Sequence, residues 1–299
     1  MVVQADKDDA YIADLAFMPT HRPGESTGTI RLATSDFKSF SNQTVDRAAG
    51  GPYEEVGLNL TSTTYTTRRY GVQVPVNDDL RSEHDAPMSL ERLATLRAMR
   101  EVQIRREVRV AAAMFVTGVW TTETTLGAAA QWDDPGGDPL GNLWTMKRGI
   151  KLASAADAKV GIMGWDTFRV AVQNGDITSL MPSATRQGQI TLSELAQRLR
   201  EAFEIEKLFI GRAIRNTAVE GDTESNAFIW TDNFALVNVP DGDLEAPAFA
   251  QIASTVGGPT VVTQFRREET EDDVVRVKEN RDEIVIDADQ GALLINTAN

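Results

Sequence analysis

Apolar positions recur at helical spacing from Ser89 to Val116, a stretch that no Pro or Gly interrupts and that Leu, Ala, Met, Arg and Glu dominate. Leu90, Leu93, Ile104, Val108, Ala111 and Phe115 fall on one side, while Leu96, Met99, Val102 and Val110 face elsewhere. The pattern predicts a single helix roughly 40 Å long. Pro87 and Ser89 open it, Glu91 sits in its first turn, and Arg97, Glu101 and Arg105 form a charge ladder at four-residue spacing. A helix apolar on two sides needs two partners. The second side is expected to meet a β-sheet or the N-terminal arm, leaving Arg97, Arg100 and Arg105 toward solvent or a neighbour.

Ahead of this helix the period changes to two. Thr29 to Ala33 alternates, then Val56 to Leu60, then a Thr-rich run from Thr61 to Tyr70 and the segment Gly71 to Val76. Around a polar tip at Asn42 to Pro52 this reads as an extended hairpin, which is marginal alone and needs a surface to lie on. Residues Val2 to about Arg22 are polar, with only Tyr11, Ile12, Leu15, Phe17 and Met18 as scattered anchors for an arm across another surface.

Beyond the helix, the Gly, Pro and Asp cluster at Gln131 to Pro139 marks a boundary. Helices are then expected at Pro139 to Ala155, Trp165 to Gln173 and Leu192 to Phe203, and strands at Val160 to Met163, Lys207 to Gly211 and Ala227 to Trp230. That alternation predicts a compact α/β domain over 138–243. The tail returns to strands at Val261 to Phe265, Val274 to Val277, Ile284 to Ile286 and Leu293 to Ile295, with an acidic turn over Glu268 to Asp273.

Composition narrows the function. The 299 residues are 41% hydrophobic, enough for a real core, and no apolar run is long enough to span a bilayer. There is no Cys, hence no disulfide, thiolate metal site or cysteine nucleophile. The net charge of −14 repels phosphate backbones, so the chain is not built to grip nucleic acid. His21 and His84 read as surface-loop residues. No phosphate loop or nucleophile elbow occurs, and no cofactor is expected. Asp133, Asp134 and Asp138 form the one cluster to weigh as a metal site of a soluble enzyme, against the plainer reading as turn and capping aspartates.

The order of these parts resembles the major capsid proteins of tailed bacteriophages, with the Hong Kong 97-type fold. The resemblance rests on the arm, hairpin and long helix, and then on Val160-Gly-Ile-Met-Gly, Trp165-Asp-Thr-Phe, Asn174-Gly-Asp-Ile, Thr191-Leu-Ser-Glu-Leu-Ala, Leu208-Phe-Ile-Gly-Arg-Ala and Ile229 to Leu236 in succession. It implies an α+β chain: an N-terminal arm (1–27), an extended β-hairpin or E-loop (28–71), a peripheral domain with a spine helix and β-sheet (72–137), an α/β axial domain (138–243) and a return to peripheral strands (244–299). Asp157-Ala-Lys-Val stands where many relatives have a Pro-Asn pair, and Lys38 is the only lysine of the hairpin region, with no evident cross-linking partner. With only a short arm before the β region, no long fused scaffolding segment is expected.

The function implied is a non-enzymatic shell protein whose copies form hexamers and pentamers of an icosahedral virion capsid around double-stranded DNA, without membrane, assembled in the host bacterial cytoplasm. Scaffolding, portal and decoration proteins are the further partners implied. Phe17, Met18, Phe37, Phe40 and Tyr65 are candidate apolar anchors between subunits, and Arg47, Arg68 and Arg69 candidate inter-subunit ion-pair residues. A related shell, the encapsulin-like nanocompartment, is the alternative.

Overall fold

The computed structural model describes residues 11–16, 20–21, 24–33, 51, 60–83, 89–180, 192–219, 221–239, 248–255 and 260–298. Phe17, Met18, Phe37, Lys38, Phe40, Arg47, His84 and the hairpin tip lie outside them. The first elements are a helical turn α1 (Ala13–Ala16), β1 (Thr20–His21), β2 (Thr27–Ala33), β3 (Leu60–Thr66), β4 (Arg68–Asn77) and α2 (Asp78–Glu83). Strands β2 and β3 pair antiparallel, from Thr27 opposite Thr66 to Ala33 opposite Leu60, as the base of the expected hairpin. His21, expected in a loop, lies in β1 instead and pairs parallel with a later strand.

The long helix is α3 (Leu90–Met114). Ser89 caps it by accepting from Arg92 N, which satisfies one of the free first-turn donors. After it come β5 (Thr122–Thr125), α4 (Pro139–Ser154), β6 (Val160–Gly164), α5 (Trp165–Gln173), α6 (Gly175–Leu180), α7 (Leu192–Ala202), β7 (Lys207–Gly211), β8 (Ile214–Asn216), β9 (Asn226–Phe228), β10 (Phe234–Val237), β11 (Ala250–Ser254), β12 (Val261–Arg267), β13 (Asp272–Val285) and β14 (Gly291–Ile295).

Two five-stranded sheets organise these elements. The first is built on β13, a single strand where the sequence reads as two. One edge of β13 pairs with β4, from Asp272 opposite Asn77 to Arg281 opposite Arg68. The other edge pairs first with β12 and then with β11, which carries β1 at its far side. Lys278 to Asp282 reads as a polar connection, but backbone pairing on both edges holds it extended.

Helix α3 lies across this sheet. Ala94 packs with Val76 and Val275, and Ala98 and Val102 pack with Val277. Alanine at successive contact positions lets helix and sheet approach closely. The seam therefore runs through Ala94, Ala98 and Val102, not through either leucine-rich side taken whole: Leu93 and Leu96 are exposed, whereas Met99 and Val110 are covered. Leu96 thus departs from the expected second face, and its three companions hold to it.

The second sheet has the order β5-β14-β10-β6-β7. Its central strand β10 is four apolar residues, too short for its period to show in sequence. Alternation along it supplies two cores. Phe234 and Leu236 face the helices α4 to α7, joining Trp132, Met146, Phe168, Leu199 and Phe203. Ala235 and Val237 face the C-terminal turn of α3, joining Val110, Met114, Trp120, Trp230 and Phe249. The last strand, β14, expected among the peripheral strands, pairs with β10 and β5 in this sheet instead. Thus α3 spans both sheets, which explains a length of roughly 37 Å.

Candidate assembly surfaces

Where α3 leaves the first sheet, its contact residues change from apolar to ionic. At the same level, the helix-facing positions of β13 pass from Val275 and Val277 to Glu279, Arg281 and Glu283. Glu279 is buried and accepts from Arg106 Nε at 3.0 Å and from Arg109 Nη2 at 2.8 Å. Arg109 also stacks over Tyr70, 3.6 Å from the ring centroid. Arg281 pairs with Asp14 at 2.7 Å and lies 2.9 Å from Glu283, and Arg106 also bonds Asp14. Asp14 belongs to α1, so the described part of the arm is fastened to its own chain. Burial pulls the Arg106 guanidinium downward, but the Asp14 and Glu279 carboxylates outweigh this and hold its pKa above its ordinary value.

Three guanidinium groups thus face three carboxylates, and among the described residues none of the three forms an ion pair with Glu107. Its Oε1 accepts from Ala13 N at 2.7 Å and its Oε2 from Trp230 Nε1 at 2.5 Å. Burial pushes its pKa from 4.5 to about 7 despite these donors. One side chain therefore joins the arm, the spine helix and the loop before β10.

The sequence candidates fall elsewhere. Tyr65 is buried inside the chain with Ile30, Ala253 and Ile284. Arg68 and Arg69 are exposed on β4, and the other five candidates lie outside the described residues. The buried cluster was not among them, because the contacts that join its three segments link residues 92 to 267 positions apart.

Among the aspartates weighed for a metal, Asp138 caps α4 by accepting from Gly141 N at 2.7 Å, and Asp134 accepts from Gly136 N at 3.0 Å. No group of acidic or histidine side chains among the described residues is arranged to hold a metal ion. The outer surface instead carries exposed large apolar side chains, notably Trp144 and Leu152 on α4 and Ile214, Val219 and Phe228 on the β8–β9 hairpin.

No family model and no curated protein matches the sequence. Solved structures do match, end to end and at low identity. A phage-related protein from Bordetella bronchiseptica RB50 aligns with a TM-score of 0.71 at 15% identity, over 97% of this chain and 93% of that one. The capsid structure of the Cyanophage P-SCSP1u aligns at 0.59 and 10% identity, over 94% and 86%. A virus-like particle from Pyrococcus furiosus aligns at 0.56 and 11%, over 93% and 89%. With its spine helix across two sheets and its hairpin base, the chain has the Hong Kong 97-type capsid fold.

Proposed function

We propose that this chain is a structural subunit, not an enzyme, that assembles with copies of itself into a closed icosahedral shell of hexamers and pentamers around phage double-stranded DNA. The observation that carries the reading is the end-to-end likeness to a cyanophage capsid. Two physical features support it. Strands β2 and β3 rest on β11 and β13 of their own chain through Ile30 and Tyr65, and the polar hairpin expected beyond them gains stability by lying on a neighbour. A subunit of net charge −14 lets packed DNA slide along the wall without adhering to it. In this reading Arg47, Arg68 and Arg69 are ion-pair residues toward a neighbour, and Phe17, Met18, Phe37 and Phe40 are apolar anchors on it. The shell is a virion component assembled in the bacterial host, with scaffolding, portal and decoration proteins as further partners.

The test is light scattering and negative-stain microscopy of the purified protein, with nuclease digestion. Megadalton closed shells that protect double-stranded DNA are expected. A small monodisperse species overturns the proposal, and shells filled with protein and free of DNA redirect it to a nanocompartment.

A further inference from the structure

Two exposed features at opposite ends of the second sheet complement each other. The first is an open groove of about 480 Å³ along α4, lined by Trp144, Lys147, Arg148, Lys151 and Leu152 and bounded by Asp157, Ala158 and Glu204. Trp144 and Leu152 are 58% and 69% exposed, about two turns apart on one helix face. Its rim residues Ala158 and Glu204 lie just before β6 and β7, so the groove sits where those parallel strands begin.

The second is the β8–β9 hairpin, which leaves from the other end of β7, after Gly211. It is a two-stranded sheet that pairs with no other described strand, and every residue of its two strands is exposed. Ile214 and Phe228 are directly opposed across it, 48% and 36% exposed, and Val219 beyond β8 is 74% exposed. A cross-strand apolar pair with no layer beneath it is an unfinished contact. The segment 214–228 carries Glu220, Asp222 and Glu224 against Arg215, while the groove supplies Lys147, Arg148 and Lys151 against Asp157 and Glu204. The two surfaces are opposite in net charge, and each offers apolar side chains.

We infer that the β8–β9 hairpin of one copy docks in the α4 groove of the next, with Ile214, Val219 and Phe228 covering Trp144 and Leu152, and with the hairpin carboxylates facing Arg148. This rests on the shell reading and gives it a ring contact. A groove at one end of a sheet and its complement at the other make a head-to-tail interface, which repeats around a ring until it closes. A subunit's own hairpin departs a full strand length, roughly 16 Å, from its own groove, so the occupant is a second copy.

Trp144→Asp and Ile214→Asp test the contact separately. Each variant is expected to keep the circular dichroism and melting temperature of the parent chain and to lose ring and shell formation in size-exclusion chromatography with light scattering. Mixed in equal amounts, one variant contributes an intact hairpin and the other an intact groove, and a heterodimer is the expected product.

Because the chain has no cysteine, Leu152→Cys with Val219→Cys gives a second assay that leaves the fold undisturbed at exposed sites. A short thiol cross-linker applied to assembled particles is expected to yield a ladder of linked subunits from the double variant and none from either single one. Aspartate variants that still assemble, or monomer bands from the double variant in visible particles, overturn the inference. A parent chain that forms no large particle overturns the shell reading itself, which the parent sample reports independently of the variants.

Discussion

At the meeting point of α1, α3 and β13, the three guanidinium groups of Arg106, Arg109 and Arg281 are matched by Asp14, Glu279 and Glu283, and burial beside them raises the Glu107 carboxyl pKa to about 7. The unfolded chain gives up that proton near the ordinary 4.5. Between these values the folded form binds more protons, so stability falls as pH rises, by roughly 3 kcal/mol once Glu107 is fully ionised. Denaturant unfolding of the parent chain should follow that slope, and Glu107→Gln should flatten it over the same interval, while losing a constant increment because its amide cannot accept at both oxygens. Glu279→Ala is expected to be worse at every pH. It leaves the buried Arg106 and the partly exposed Arg109 short of their shared anion, which costs about 3–5 kcal/mol in the same measurement. Neither residue stood out in sequence. Arg106 and Glu107 sit in a charged run of the kind that usually marks a solvated helix face, and their partners come from segments whose distance along the chain hides the pairing.

Helix α3 was legible as an element from its uninterrupted composition, and its ends fell within two residues of expectation. Its buried face was less legible, since hydrophobicity favours leucine but a helix laid close on a sheet favours alanine. Ala98 touches Val277 with no exposed surface, whereas Leu96 is exposed. Ala98→Leu should therefore cost about 1–3 kcal/mol by overpacking, and Leu96→Gln should stay within about 0.5 kcal/mol of the parent; thermal unfolding of the two variants side by side checks both. Strands were legible where valine and isoleucine alternate, as at Val160 to Met163. They were hidden where pairing overrode composition, as along Lys278 to Asp282 of β13. The order of parts, rather than any single motif, carried the fold reading. The sites did not follow, because an assembly surface is defined by what a side chain lacks around it, and a linear pattern does not report that.

For the whole molecule, charge sets the conditions under which the proposed assembly forms. Copies of net charge −14 repel one another on approach, and added salt shortens the reach of that repulsion. Particle formation followed by light scattering should begin at lower protein concentration as ionic strength rises. The opposite trend would mean that contacts between unlike charges outweigh net repulsion, a pattern suited to Arg148 and its neighbours dominating the interface.

Strand β13 also bears on how the molecule comes into being. Its partners Asn77 and Asp272 are 195 positions apart, so a ribosome working at about 5–20 residues per second makes β4 roughly 10–40 s before β13 exists to receive it. Throughout that interval the sheet-facing side of α3 has no sheet, and Arg106 has no Glu279. The packed face of α3 is therefore completed only once β13 has been made, and until that single strand arrives the nascent chain carries an unfinished sheet.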